Sequence, residues 1–209
     1  MRIQQKFRLN TLEAEALPAQ LKKLDGSFVR SVLSRDFVFT PDSRAFLPRF
    51  IDRYALTGKD RGLFLRVREE NDLTSRSGLQ SIHLFAYKAD RHFFIDDQIV
   101  LNLDTATNQN RDLVQLLEML GIDKVVEVTK KREEYRLVCE ETVFQLKLDT
   151  VEHLPLPFLE IHAFTEKAES DKTFSAFEAL KERLAIDPAA VVVKTYFQQL
   201  LQTGSETQG

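Results

Sequence analysis

The sequence predicts an α+β fold: an antiparallel eight-stranded β-barrel with a polar lumen and helices packed on the outside. Residues 125–163 are the main evidence, because polar and apolar side chains alternate there through three strand-like segments. The polar faces carry Lys130 and Arg132, then Gln145, Lys147 and Asp149, and finally Glu160 and His162. The opposite faces carry Val125, Thr129, Phe144, Leu146, Leu148, Leu159, Ile161 and Ala163. Since the apolar faces pack against helices, closing this sheet would leave a polar tunnel inside.

Chain length, net charge and cysteine content argue against several classes of protein and partner. The chain has 209 residues, and we predict one domain over residues 1–201 with a disordered polar tail over 202–209. The net charge of −3 argues against a nucleic-acid partner bound through bulk charge. The single cysteine, Cys139, excludes an internal disulfide framework and fits a reducing, cytoplasmic setting. No segment reaches membrane-spanning length, so we expect no membrane partner.

The N-terminal half alternates strands with one helix. The predicted helix opens at Thr11, passes Pro18 and ends at Asp25 and Gly26. Two later strand-like segments flank a polar turn over residues 71–78, which predicts a hairpin. The predicted strands cover 1–9, 28–39, 63–69 and 79–88, and residues 43–62 show no regular pattern beyond a short apolar stretch.

The C-terminal half adds a strand and three helices around the polar-faced strands. The strand is predicted over 93–103, and an amphipathic helix over 105–120 ends before Gly121. Two further helices are predicted over 174–184 and 188–201. The β-branched run from Val191 to Val193 disfavours helix in the first turn of the last one.

Short motifs occur in a fixed order along the chain. Their basic members are Lys6 in RIQQKF, Arg66 and Arg68 in LFLRVR, Lys88 in FAYK, and Lys130 and Arg132 in KKREEY. Further on come Asp149 in LKLDTVEHL, Glu160 and His162 in FLEIHAF, and Tyr196 in KTY. Over nearly the whole chain, this order resembles the CYTH superfamily of class IV adenylate cyclases and thiamine triphosphatases, also called triphosphate tunnel metalloenzymes.

The resemblance implies a binding site for a small polyphosphate-containing ligand. Carried over residue by residue, the phosphate-binding side chains would be Lys6, Arg66, Arg68, Lys88, Lys130 and Arg132, with Arg2 as a further contact. Glu160 and Asp149 would be the catalytic residues. Glu160 would hold the Mg²⁺ or Mn²⁺ on which the family's chemistry depends. His162 is a further candidate metal ligand, but a lone histidine is more often a hydrogen-bonded structural residue, and as a ligand it would favour a softer metal than magnesium.

The chain departs from the family pattern at the metal positions. Arg2, Gln4 and His162 stand where the family has glutamates, so Glu160 alone remains of that set. Pro155 also stands where glycine is usual. The nearest register for the family's RxExE strand is Asp96, Gln98 and Val100. The sequence therefore indicates a degenerate metal site beside retained basic positions.

Three classes of function follow from this pattern. Six cations in one lumen would repel one another by on the order of a few kcal/mol per close pair, which favours a polyanionic ligand. The sequence therefore favours a protein that binds tripolyphosphate, a nucleoside triphosphate or thiamine triphosphate, with catalysis weakened or lost. The alternative is an active metal-dependent triphosphatase or adenylate cyclase. A purely structural interaction protein is disfavoured by the retained cations.

Overall fold

A computed structural model describes residues 2–39, 61–90, 93–103, 110–122, 124–166 and 169–206. Side chains are described for these residues except 61–64, 84–90, 93–99, 101, 103, 110–112 and 204–206. The described part is α+β with antiparallel strand pairing, as the sequence predicts. None of its helices is long and apolar enough to cross a membrane.

The regular elements follow the order that the sequence pattern predicts. The strands are β1 (Arg2–Arg8), β2 (Ser27–Phe39), β3 (Arg61–Asp72), β4 (Ser77–Asp90), β5 (Phe93–Leu103), β6 (Lys124–Cys139), β7 (Thr142–Val151) and β8 (Phe158–Phe164). The helices are α1 (Thr11–Lys23), α2 (Asn110–Met119), α3 (Ser170–Arg183) and α4 (Tyr196–Glu206), with a 3₁₀ turn at Pro188–Ala190. The predicted hairpin is the antiparallel pair β3 and β4.

Two compact units divide the chain. The first comprises Met1–Val32, Ala89–Ile95 and Lys131–Val193, and the second comprises Leu33–Lys88, Asp96–Lys130 and Lys194–Gly209. In the first unit, β8 pairs antiparallel with both β1 and β7. The apolar faces of these strands pack with α1 and α3 in a core that includes Ile3, Phe7, Leu17, Leu21, Phe144, Leu146, Leu159, Ile161, Phe177 and Leu180. Because each such side chain contributes roughly 1.5–3 kcal/mol on burial, this core fixes the opposite, polar face in place.

The second unit has its own core beneath α2. Phe37 and Phe39 of β2 pack there with Val67 of β3. The α2 residues against this core are Leu113, Val114 and Leu117. Leu113 and Leu117 lie on the face that the leucine spacing predicts, whereas Leu116 and Leu120, which belong to the same predicted face, are exposed.

Local hydrogen bonds explain where α1 begins and ends. The helix begins at Thr11, as predicted, and Asn10 is its N-cap: Asn10 Oδ1 accepts from the Glu13 backbone N–H, and Glu13 Oε2 accepts from the Asn10 N–H. At the other end Asp25 has φ of 60°, and the Gly26 N–H donates to the Leu21 carbonyl at 2.8 Å. A Cβ on Gly26 would lie 2.8 Å from that carbonyl oxygen, so only glycine fits this close approach.

The helix predicted over 188–201 is wrong in its first half. Pro188–Ala190 forms only a 3₁₀ turn, and Val191 then makes an antiparallel bridge with Phe7. The Val192 N–H donates to the Lys6 carbonyl at 2.8 Å. The β-branched valines favour this extended backbone, so the helix begins only at Tyr196.

The remaining differences concern helix boundaries. α3 begins at Ser170, four residues before the predicted start at Phe174. α4 continues to Glu206, so residues 202–206 are helical where a disordered tail was predicted. Of the segment predicted to be irregular over 43–62, residues 61 and 62 begin β3, and residues 43–60 lie outside the described residues, as do residues 105–109 of the predicted second helix.

Candidate anion-binding site

Polar side chains of β1, β8 and β7 form rows across the first unit. Glu160 of β8 is paired with Lys6 of β1 on one side and with Lys147 of β7 on the other. The next row contains Gln4, His162 and Gln145. Directly opposed residues of antiparallel strands share a face, so both rows lie on the face away from the apolar core. The strand alternation seen in the sequence therefore brings these polar residues together.

Five buried residues in and beside these rows form what we call the Arg132 cluster: Lys6, Arg132, Asp149, Glu160 and His162, none more than 8% exposed. Arg132 donates from Nε to Asp149 Oδ1 at 2.6 Å and from Nη2 to Oδ2 at 2.5 Å. The same Nη2 donates to Glu160 Oε2 at 2.9 Å, and Lys6 Nζ lies 3.5 Å from Glu160 Oε1. One guanidinium thus joins two buried carboxylates, and Lys6 shares one of them.

Burial and neighbouring charges set the protonation of this cluster. Burial by itself raises the pKa of Glu160, but the hydrogen bond from His162 and the charges of Lys6 and Arg132 hold that pKa well below its ordinary value. Burial lowers the pKa of Lys6, while the charges of Glu160 and Asp149 act in the opposite direction. Glu160 is therefore ionised and already paired with cations.

His162 presents an unused acceptor on its ring. Burial, together with the charge of Lys147, lowers the pKa of the imidazole well below its ordinary value, so the ring is neutral. Its Nε2 lies 3.3 Å from Glu160 Oε2, and because an ionised carboxylate only accepts, we assign the ring proton to Nε2. Nδ1 is then a lone-pair acceptor, buried and without a hydrogen-bond partner in the described part of the chain.

Lys147 lies in the row of Glu160 and is half-buried. Within the described residues its amine makes no hydrogen bond or ion pair. Burial, and after it the charge of Arg132, lowers the pKa of Lys147 to about 7, although Glu134 and Glu160 act in the opposite direction. The sequence pattern placed Lys147 on the polar face, two residues before Asp149, but assigned it no role.

In the second unit, Asp36 gathers three of the predicted phosphate-binding side chains. Arg68 donates from Nε to Asp36 Oδ1 at 2.5 Å and from Nη2 to Oδ2 at 2.7 Å. Lys130 Nζ and Arg66 Nη1 reach Oδ2 at 3.0 and 3.3 Å. Arg68 Nη1 also donates to Glu70 Oε1 at 3.3 Å. We call these five residues the Asp36 cluster.

The sequence interpretation missed Asp36. The residue is 3% exposed; burial by itself raises its pKa, but Arg66, Arg68 and Lys130 hold that pKa well below its ordinary value. A signal was present, because Ser34 and Asp36 are polar residues two positions apart and therefore lie on the same face of β2. Asp36 offsets much of the repulsion among the cations, so their proximity does not by itself demand a polyanion.

For the other predicted site residues, the structure gives the strand position and, for some of them, the side chain. Lys88 lies in β4 opposite Arg61, and its side chain is outside the described residues. Arg2 begins β1 opposite Phe164 and is half-buried. The loosely assigned counterpart of the RxExE strand lies in β5, where the side chains of Asp96 and Gln98 are also outside the described residues.

Tyr196 connects the C-terminal motif to the Asp36 cluster. Thr195 caps α4, since its Oγ1 accepts from the Gln198 N–H at 3.3 Å while Gln198 Oε1 accepts from the Thr195 N–H at 2.9 Å. Lys130 Nζ lies 5.5 Å from the centroid of the Tyr196 ring, within the range of a cation–π contact. Tyr196 therefore packs against a cation of the site.

The donors of the Arg132 cluster do not fit a resident Mg²⁺ or Mn²⁺ ion. Asp149 is fully buried and both of its oxygens are bound by Arg132. Both oxygens of Glu160 face Lys6, Arg132 or His162. Among the described residues, no group of three or more His, Cys, Asp or Glu side chains could hold a metal ion. The metal role that the resemblance implies for Glu160 and His162 therefore does not fit this geometry.

Comparisons with known proteins agree on the fold. The PH1819 protein of Pyrococcus horikoshii is 18% identical, with a TM-score of 0.71 over 97% of this chain and 99% of that one. An adenylate cyclase candidate from Vibrio parahaemolyticus is 16% identical, with a TM-score of 0.65 over 95% and 97% of the two chains. A Hippeastrum adenylyl cyclase candidate with a dominant triphosphatase activity is also 16% identical, with a TM-score of 0.58 over 98% and 96%.

Two further comparisons use the amino-acid sequence rather than the structure. No match was found among curated proteins. The family model of the CYTH domain, however, matches residues 3–196, which takes in β1 from Ile3 onward, the Asp36 and Arg132 clusters and the first residue of α4. That match spans most of the chain and agrees with the order of motifs read from the sequence. The chain belongs to the CYTH domain family.

Proposed function

We propose that this protein binds a triphosphate or another linear polyphosphate in a basic tunnel, with catalysis weakened or lost. In this proposal residues 1–201 are one domain, and the antiparallel strands close into an eight-stranded barrel around the tunnel. The pairing of β1 with β8, the first and last strands of the described chain, supports closure. The single cysteine supports a cytoplasmic location.

Charge in the Asp36 cluster supports anion binding. Its three cations, Arg66, Arg68 and Lys130, face two carboxylates, Asp36 and Glu70, which leaves one positive charge in a largely buried group. Two of the three cations are arginines, whose forked donors suit phosphate oxygens. The cluster is held in shape by Asp36 before any ligand arrives, so little ordering would be required on binding.

The charges in and beside the Arg132 cluster also support the binding of a polyphosphate. Lys6 and Arg132 are balanced by Asp149 and Glu160, so these four residues carry no net charge. Lys147, when protonated, adds a positive charge beside them, and Arg2 adds to the positive potential at Lys147. The half-buried Lys147 amine has no carboxylate partner among the described residues.

We favour a binding protein over an enzyme because the two predicted catalytic carboxylates are already bound to a cation of the protein. Phosphoryl transfer from a triphosphate depends largely on metal ions that neutralise the developing charge. Asp149 and Glu160, the predicted catalytic residues, are both bound to Arg132. In our proposal they position Arg132 and Lys6 rather than act on the ligand.

The alternative is an active triphosphatase or adenylate cyclase that uses Mg²⁺ or Mn²⁺. The fold it shares with the Hippeastrum protein, which has a dominant triphosphatase activity, favours this candidate. It requires Glu160 to leave Arg132 and Lys6 and to bind a cation instead.

A pair of measurements separates the two functions. The first is titration of the protein with tripolyphosphate, thiamine triphosphate and ATP by calorimetry. The second is release of phosphate and pyrophosphate from the same compounds with Mg²⁺ and with Mn²⁺. We expect binding of at least one compound without turnover. Metal-dependent turnover would establish the enzyme, and absence of any binding would contradict both candidates.

A further inference from the structure

The strongest unexplained feature of the first unit is a pair of polar groups without partners. Lys147 has no ion pair within the described residues, although Lys6 and Arg132 of the neighbouring cluster are bound to carboxylates. His162 Nδ1 is buried without a hydrogen-bond partner in the same part of the chain. A buried polar atom without a partner is costly and rare in a native structure, so Nδ1 of His162, with the half-buried and unpaired Lys147 amine beside it, calls for a ligand.

Strand register brings the two groups side by side. Lys147 of β7 is opposite Glu160, and the next residue of β8 on that face is His162, itself opposite Gln145. The charge of Lys147 is the largest electrostatic contribution to the low pKa of His162, which is what closeness predicts. The two groups therefore share one polar surface, with Gln4 and Gln145 on either side of His162.

The chemistry of the pair is complementary and selective. A protonated Lys147 donates hydrogen bonds and carries positive charge. His162 Nδ1 only accepts, because its ring proton is held at Nε2 by Glu160. A ligand that satisfies both must therefore offer anionic oxygens together with one hydrogen-bond donor. A phosphoryl group at a free chain end, which loses its last proton with a pKa near 6, offers this combination in its monoprotonated form.

We propose that Lys147 and His162 Nδ1 bind the free terminal phosphoryl group of a linear polyphosphate. Lys147 donates to its anionic oxygens, and its remaining P–OH donates to Nδ1. This subsite rests on the proposed polyphosphate-binding function. It uses β7 and β8 positions that the sequence motifs did not assign to phosphate, and it requires no divalent cation.

Linear and cyclic ligands provide the test. Tripolyphosphate has free ends, whereas trimetaphosphate is a ring of three phosphates without a terminal P–OH. Calorimetric titrations in EDTA at pH 6, where both Lys147 and the terminal phosphoryl group retain protons, compare both ligands on the wild type, Lys147→Met, Lys147→Arg and His162→Phe. Lys131→Met is the matched control, because Lys131 lies on the same site-forming sheet but has a 59% exposed side chain. Thermal unfolding confirms that each variant is folded.

We expect wild-type protein to prefer the linear ligand and Lys147→Met to weaken its binding by about tenfold or more, the loss of one charge-assisted hydrogen bond. Lys147→Arg should restore binding, and Lys131→Met should leave it unchanged. His162→Phe should reduce the preference for the linear ligand, whereas a preference due only to total charge would survive that substitution. The subsite is overturned if Lys147→Met binds tripolyphosphate like the wild type, or if the preference survives in His162→Phe. Wild-type protein that binds neither ligand would overturn the proposed function itself, and the subsite with it.

Discussion

Arg132 and Asp149 are joined by two parallel hydrogen bonds, from Nε to Oδ1 at 2.6 Å and from Nη2 to Oδ2 at 2.5 Å. Asp149 is fully buried, and the same guanidinium also reaches Glu160. The sequence motifs predict that Arg132 binds phosphate and that Asp149 is catalytic, but in the structure the two side chains bind each other. An anion that bound Arg132 would have to compete with, or add to, this pair.

Arg132 is therefore expected to contribute to stability as well as to binding. Arg132→Ala would leave two buried carboxylates without their main partner, so we expect the free energy of unfolding to fall by roughly 3–5 kcal/mol. Urea unfolding followed by circular dichroism measures this loss. The exposed Arg136 of the same strand provides the control, since Arg136→Ala should change stability by less than about 0.5 kcal/mol. Equal stability of the two variants would contradict the structural role of Arg132.

Substitutions of Arg66 and Arg68 should differ in their effect on the free energy of unfolding, although both weaken anion binding. The hydrogen bond from Arg66 to Asp36 is 3.3 Å long, whereas Arg68 makes two shorter hydrogen bonds to the same carboxylate. We expect Arg66→Ala to weaken tripolyphosphate binding by roughly 1.5–3 kcal/mol with a small change in stability. Arg68→Ala should also lower the free energy of unfolding by several kcal/mol, because Asp36 is buried.

The control for these arginines is Arg35, which neighbours Asp36 in the chain but has a 51% exposed side chain paired with Glu127. Arg35→Ala should leave tripolyphosphate affinity unchanged in calorimetry. Equal losses from all three substitutions would mean that binding follows general charge rather than the Asp36 cluster.

Acid should destabilise the protein through Asp36. Because the folded pKa of Asp36 is well below its ordinary value near 3.8, the unfolded chain takes up a proton first as the pH falls. The stabilisation is fully present above that ordinary value and is lost as the pH drops toward the folded pKa. Asp36→Asn removes this contribution, so its unfolding free energy should be lower at pH 7 and should fall less between pH 4 and pH 2. Parallel pH profiles for the two proteins would contradict this assignment.

Lys147 should also make stability rise with pH, but in a higher pH window than Asp36. Its folded pKa of about 7 lies below the ordinary value of 10.5, so between these values the unfolded chain holds a proton that the folded chain releases. This group therefore makes the unfolding free energy rise with pH from 7 to 10.5. Lys147→Met lacks that slope and should be more stable than the wild type at pH 7, by roughly 1–3 kcal/mol. Urea titrations at several pH values, with Lys131→Met as control, measure the difference in slope.

Much of the fold was predictable because its signals are local. Alternation along β6, β7 and β8 predicted the strands, and Phe144 and Ile161 of the predicted apolar faces lie in the core, whereas Val125 at the start of β6 is exposed. The error at Val191 came from treating a β-branched run as helix although an edge of β1 was available to pair with it.

The site was harder to predict because its key contacts join residues far apart in sequence. Nothing near Asp36 indicates that it meets Lys130, 94 residues later. The motifs named the cations, whose phosphate-binding role stays a prediction, and named Asp149 and Glu160, but not the ion pairs that join them or the carboxylates Asp36 and Glu70. Lys147 was visible on the polar face, yet its isolation becomes evident only once the neighbouring cations are seen to be paired.

Metal independence is the central claim of this account, and calorimetry of tripolyphosphate binding in EDTA and in Mg²⁺ tests it most directly. With correction for magnesium bound to the ligand, wild-type protein should bind with affinities that agree within about threefold, since Arg2, Gln4 and His162 replace the family's metal-binding glutamates. The double variant Arg2→Glu with Gln4→Glu should bind more weakly in EDTA and recover with magnesium. Wild-type binding that disappears in EDTA would contradict the account and would show that Glu160 still holds a working cation.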